Sequence, residues 1–219
     1  MISISIDDNL KEKCPNLKLG CIQSHVIIKN DYSELLNLIE ENIREIRSSQ
    51  QMETISKIPT ISAARKGYKL IGKDPARYRL SAESLLRRIV KGNELYKINN
   101  VVDLLNLVSI KTGISIGGYD TLKIAGNANF GIGKEGEPYE GIGRGVLNIH
   151  QLPVFRDDLG AFGSPTSDSA RTMVSNSTTS FLMVFFGFGG LDQLSDSMDL
   201  AEAYLQNFAS ASNLERKII

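Results

Sequence analysis

Polar and apolar residues alternate through Met1–Ile6 (MISISI), and 20-GCIQSHVIIK-29 is dense in β-formers, so each stretch predicts a strand. From Ser33 to Arg47 the period changes. Leu35, Leu36, Ile39, Ile43 and Ile46 recur at three- and four-residue intervals with Glu and Arg between them, which is the stripe of an amphipathic helix. A second helix is predicted over 81-SAESLLRRIVKG-92, opened by the Ser81 hydroxyl as a cap for orphan amides and stopped by Gly92. Asn99–Thr112 (NNVVDLLNLVSIKT) predicts a third helix, largely buried and ended by Gly113. Beyond it, glycines punctuate short β-type runs through 126-GNANFGIGKEGEPYEGIGRGVLNI-149, the texture of strands and hairpins. Helical spacing returns from Asp199 to Leu214 through Leu200, Ala203, Tyr204 and Phe208, with a frayed basic tail expected after it.

The longest apolar run, Phe181–Phe188, is well short of the roughly 20 residues a helix needs to cross a bilayer. The N-terminus lacks the basic start and long apolar stretch of a secretion signal, so a soluble, cytoplasmic protein is expected. Chain length allows one large domain that buries roughly 70% of its unfolded surface, and no repeat, low-complexity linker or change of composition divides it. Lys plus Arg and Asp plus Glu both number 25, so attraction to a polyanion has to come from local clustering. With only Cys14, Cys21, His25 and His150 as soft ligands, neither a disulfide framework nor a metal site is supported, and the cysteines read as ordinary thiols.

Gly131, Gly133 and Gly136 spell G-x-G-x-x-G, but Glu137, Pro138 and Tyr139 follow where a dinucleotide fold needs a helix, so hairpin turns are expected. Neither histidine accompanies a G-x-S-x-G elbow, and both read as structural or surface residues. The segment 63-AARKGYKLIGKDPARYR-79 sets Arg65, Lys66, Lys69, Lys73, Arg77 and Arg79 against Asp74 alone, with Tyr68 and Tyr78 interleaved. That is either a solvated loop before a helix or a surface for phosphates and stacked bases. A polar stretch, 161-AFGSPTSDSARTMVS-175, lies ahead of the apolar run 180-SFLMVFFGFGG-190. It is either a self-bonded turn or one wall of a pocket, with Asp168 and Arg171 as a charged pair that a simple turn does not require.

Three ordered stretches resemble the B3/B4 domain of the phenylalanyl-tRNA synthetase β subunit in its freestanding form. They are 65-RKGYKLIGKDPARYRLSAESLLRR-88, 94-ELYKINNVVDLLNLVSIKTGISIGGYD-120 and 148-NIHQLPVFRDDLGAFGSPTSDSARTMVSNSTTSFLMV-184. The resemblance implies a mixed α/β single domain over 1–219, a central β-sandwich of unusual topology flanked by helices. An N-terminal strand and helix would occupy 1–60, the core about 61–190 and a C-terminal helix 196–215. In the synthetase this module removes tyrosine wrongly attached to tRNA. The resemblance therefore implies an aminoacyl-tRNA deacylase acting in trans, or a tRNA- or protein-binding module of the same fold.

Carried over residue by residue, Asn106 matches the asparagine lining the editing pocket, and Tyr119 and Asp120 match the pair closing the next loop. Gly117 stands where the synthetase has a histidine, and Val184 or a neighbour where it has the glutamate that reads the tyrosine hydroxyl. Tyrosine specificity is therefore not expected, because a site that selects by bonding a hydroxyl loses its selectivity with the partner. The ester of aminoacyl-tRNA is activated, so a positioned water could suffice without a nucleophile, metal or cofactor. The expected catalytic group is Asn106, Ser167, Asp168 and Thr172, with Asp168 against the substrate ammonium. Gly117, Gly118, Tyr119, Asp120, Ser164, Thr166, Arg171 and Val184 would form the pocket, and Arg65, Lys66, Arg77 and Arg79 would hold tRNA phosphates. The partner would be the aminoacylated 3' end of tRNA, with no membrane or DNA, and the protein a monomer. A small-metabolite binder is the third reading. The deacylase requires Asn106 and Asp168 to meet over one open cleft.

Overall fold

Strand β1 (Ile4–Ile6) leads through the short helix α1 (Asp8–Lys13) into β2 (Lys18–His25), and helices α2 (Ser33–Ser49), α3 (Pro59–Leu70), α4 (Ser81–Val90) and α5 (Asn100–Thr112) follow. Then come β3 (Ile116–Asp120), β4 (Ala128–Ile132), β5 (Glu140–Gly141), β6 (Gly145–Val146), β7 (Pro153–Asp157), β8 (Gly160–Gly163) and β9 (Ser180–Gly187), before α6 (Asp192–Ala209) and β10 (Ser212–Ile218). The structure, a computed structural model, describes residues 1–29, 31–190 and 192–219.

Two four-stranded sheets form a sandwich, one ordered β1-β4-β7-β8 and the other β10-β2-β9-β3, with β5 and β6 as a separate hairpin. Strand β1 runs parallel to β4; the other pairs are antiparallel. The inner faces meet through aromatic rings. Phe130, Phe155 and Phe162 of the first sheet lie against Tyr119 and Phe186 of the second, with centroids 5.1 to 6.1 Å apart. Strand β9 is covered on both faces, which is why its sequence reads as an unbroken apolar run instead of an alternation. Leu105 of α5 and Leu194 and Met198 of α6 cover the outer face of the second sheet, where they crowd Gly118 and Gly20.

The helices predicted over 33–47 and 99–112 are present, and the latter has both expected ends. The Asn99 side chain accepts from the Val102 amide, and Gly113 closes the helix at φ +68°. Helix α4 also starts and stops as expected, but Ser81 does not cap it. Its orphan amides are satisfied from elsewhere in the chain, Ser81 N–H donating to the Pro165 carbonyl and Ala82 N–H to Ser115 Oγ. Half of the basic segment is α3, not loop. Pro59 opens it, and Ile61, Ala64, Tyr68 and Ile71 point into the core. The C-terminus also departs from expectation. The helix ends at Ala209, Ser210 and Asn213 take positive φ, and the supposed frayed tail is β10, paired along β2. Cys14 and Cys21 are free and buried. Among the described residues, no helix is long and apolar enough to cross a membrane.

Candidate functional site

The polar stretch 164–172 runs beside the outer edge of β3, to which Met173 is bridged at Tyr119, and its hydrogen bonds close on the protein itself. Ser164 Oγ accepts from the Thr166 and Ser167 amides and donates to the Ser167 carbonyl, making a local turn. Thr166 shares a 2.9 Å hydrogen bond with the buried Tyr68 hydroxyl, and Tyr139 donates its hydroxyl to the Ser167 carbonyl at 2.6 Å. Thr172 is buried, its hydroxyl directed at the Phe162 carbonyl 3.4 Å away. The expected Asp168–Arg171 pair does not form. Arg171 instead makes a two-pronged ion pair with Asp157 at 2.8 and 2.9 Å.

Asp168 turns toward the space between the sheets. Its carboxylate accepts from the Tyr119 hydroxyl at 2.8 Å, the Gly118 amide at 3.3 Å and the Ser164 amide at 3.4 Å. Burial pushes its pKa up to about 7, opposed by these three hydrogen bonds. The Tyr119 phenol is pushed well above the usual tyrosine range, by burial first and by the charge of Asp168 second.

Gly117, Tyr119 and Val184 share the inner face of the second sheet, since Gly117 pairs with Val184 across the ladder and side chains alternate along a strand. The expected acyl pocket is therefore assembled, but it is full. A Cβ placed on either Gly117 or Gly163 would lie well inside van der Waals contact with the Tyr119 phenol, so those glycines make room for the chain's own ring. Tyr119 and Val184 are each 0% exposed. On the other face, Leu105 and Phe181 fill the space beside Gly118. Asp120 serves the following turn, accepting from the Thr178 hydroxyl at 2.8 Å and the Leu122 amide at 3.1 Å.

Asn106 is not part of this cluster. Helix α5 covers the outer face of the second sheet, and Asn106 opens onto a groove of about 270 Å³ that α2 and residues 94–97 complete. The sheet thus stands between Asn106 and Asp168, and the single cleft expected to unite them is not formed. Deep in the groove, the carboxylate of the buried Asp103 accepts from the Ile98 amide and the Tyr32 hydroxyl. Tyr96, Arg44 and Glu94, which border it, carried no signal in the periodicity or spacing of the sequence.

The third feature is the cationic surface of α3, α4 and the loop between them. Residues 63–92 hold nine of the 25 Lys and Arg but only two of the 25 Asp and Glu, a local net charge of +7 in a neutral chain. One of the two acids, Glu83, is buried and gathers Arg65 at 2.8 Å and Arg87 at 2.9 Å, with Arg79 at 3.9 Å. Arg65, expected at phosphates, is therefore held inward, while Lys66, Lys69 and Arg77 are exposed and Arg79 half so. Tyr68 belongs to the core and is not free for stacking; Tyr78 lies under Lys73, whose ammonium is 3.7 Å from the ring centroid.

His25 is exposed, and His150 Nδ1 is buried with no hydrogen-bond partner among the described residues. Strand β4 leads into the G-x-G-x-x-G stretch, where Gly136 turns at φ +68° and the β5–β6 hairpin follows, as expected. No group of three or more His, Cys, Asp and Glu suited to a metal occurs among the described residues.

A protein-family model described as the B3/4 domain matches residues 63–209. Among solved structures, an N-terminal fragment of the phenylalanyl-tRNA synthetase beta-subunit from Pyrococcus horikoshii superimposes with a TM-score of 0.52 at 13% identity. That match covers 99% of this chain and 50% of the fragment, so the chain spans about half the fragment's length. No curated protein sequence matches the chain.

Proposed function

The chain belongs to the B3/4 domain family, and from that membership we propose that it binds tRNA through the cationic surface of α3 and the loop that follows it, without hydrolysing the aminoacyl ester. The observation that carries the reading is the concentration of charge. A neutral chain places +7 within 63–92, and Lys66, Lys69 and Arg77 stand in solvent there. Two further facts support binding without chemistry. The space between Gly117 and Gly163 is occupied by Tyr119, and Asp168 is bonded to Tyr119 instead of facing an opening.

Salt titration of tRNA binding by fluorescence anisotropy tests this. Affinity should fall steeply with added salt, and Lys66→Ala, Lys69→Ala and Arg77→Ala together should flatten the slope of log affinity against log salt by about one unit per cation. Salt-independent binding, or binding untouched by the triple substitution, would remove the proposal.

The deacylase is the second reading, favoured by the convergence of Gly117, Tyr119, Val184 and Asp168 on one point. It requires Tyr119 to swing out. Release of amino acid from mischarged tRNA that disappears in Asp168→Asn would install this reading in place of the first.

A further inference from the structure

Much of one wall of the groove beside Asn106 is α2, outside the residues 63–209 that the family model matches. Its apolar floor is Leu36, Ile39, Ile43 and Leu95. Tyr96 borders it, 68% exposed, and the Arg88 guanidinium covers one ring face at 4.2 Å from the centroid. A tyrosine held in this way is a stacking platform in search of a second planar group.

The polar groups along the groove divide into committed and uncommitted. Asp103 is taken by Ile98 and Tyr32, Glu40 faces Lys97 at 3.7 Å, and Arg47 donates to the Ile89 and Asn93 carbonyls. Asn106, Arg44 and Glu94 have no side-chain partner among the described residues. The three free groups are complementary to three parts of one molecule. A carboxamide offers a donor beside an acceptor, the pattern that reads the edge of a nucleobase. A carboxylate accepts from ribose hydroxyls, and a guanidinium pairs with phosphate. A volume of about 270 Å³ holds one such unit, not two.

We propose that this groove binds a single ribonucleotide, with the base stacked on Tyr96 and read by Asn106, the ribose hydroxyls on Glu94 and the phosphate on Arg44. The same chemistry is supplied by a free mononucleotide or by an unpaired ribonucleotide of an RNA strand.

Calorimetric titration of the full chain with AMP, GMP, CMP and UMP, each with its 2'-deoxy counterpart, tests the site. At least one ribonucleotide should bind one to one and better than its deoxy form. Tyr96→Ala and Asn106→Leu should each weaken it about tenfold, the scale of one lost stacking partner, while Tyr96→Phe stays near the native affinity. Arg44→Gln should weaken nucleotide binding but not nucleoside binding. Both principal positions are solvent-accessible and their side chains make no hydrogen bond among the described residues, so these variants should melt as the native protein does, which circular dichroism checks.

No saturation by any of the four nucleotides at millimolar concentration would overturn the proposal. So would binding indifferent to Tyr96→Ala and Asn106→Leu. A duplex with a single-stranded 3' overhang that displaces the mononucleotide, where a blunt duplex does not, identifies the source as an RNA strand; failure of both to displace identifies it as free nucleotide. The Lys66, Lys69 and Arg77 triple variant should leave mononucleotide affinity unchanged, so this proposal and the tRNA-binding one stand or fall separately.

Discussion

Asp168 accepts hydrogen bonds from the Gly118 amide and the Tyr119 hydroxyl of β3 and from the Ser164 amide just past β8, and its ionisation is thereby tied to the fold. Its native pKa of about 7 lies above the 3.8 of an exposed aspartate. Between those values the folded protein keeps a proton that the unfolded chain releases. Asp168 therefore contributes stability that is fully present below about pH 4 and is lost as pH rises through about 7. Glu137 and Asp157 act in the opposite direction. Burial alone would raise them, but hydrogen bonds from Arg156 and Arg171 hold both below their usual range, so their contribution is lost only in stronger acid. The melting temperature of the native protein should accordingly fall from pH 5 to pH 8, and Asp168→Asn should flatten that decline; an unchanged slope would show that Asp168 is not the group responsible. Tyr119→Phe removes the donor to a buried carboxylate, with an expected cost of about 1–3 kcal/mol by urea denaturation. The same substitution should move the pH-dependent decline upward, because one of the bonds that lowers the Asp168 pKa is gone.

Helices α3 and α4 are joined through one buried anion. Glu83 is 0% exposed and draws Arg65 from α3 and Arg87 from its own helix onto it. Replacing it with alanine leaves two converging guanidiniums and no anion. The expected loss is about 3 kcal/mol in chemical denaturation, the lower end for a broken buried pair because both arginines keep some access to water. A loss below about 0.5 kcal/mol, ordinary for surface positions, would mean that the network does not bind the helices together. The same anion explains why a cationic segment presents fewer free charges than its composition suggests. The stripe Ile61, Ala64, Tyr68 and Ile71 behind Pro59 was a readable sign of α3, obscured by the density of Lys, Arg and Gly in the same residues.

The sandwich as a whole depends on its last strand. Strand β10 covers the edge of β2, and Arg216 reaches back to α6 at Asp199 and Glu202. Deleting residues 210–219 would turn β2 into an open edge next to the apolar β9. The shortened chain should melt about 5–10 °C lower, corresponding to ~2–3 kcal/mol for a domain of this size, and should self-associate in light scattering. A truncated chain that melts and scatters like the native one would show β10 to be dispensable.

Local signals were readable in the chain: the amphipathic stripe of α2, the Asn99 and Gly113 ends of α5, the glycine turns after β4 and the unbroken apolar run of β9. Each depends on residues within about one or two turns of each other, where period and capping chemistry act. The motifs that carry the B3/B4 resemblance are ordered along the chain in the same way. What the polar stretch does was not readable, because its partners are distant: Asp168 meets Tyr119 49 residues away, Thr166 meets Tyr68 98 residues away, and Pro165 completes the start of α4. Helical phase decided the rest. Leu105 points at the sheet, and Asn106, one residue and about 100° further round the helix, points away from it toward α2. Only the packing of α5 on the outer face of β3 settles which of two adjacent residues meets the sheet, and that packing placed Asn106 and Asp168 on opposite sides of it.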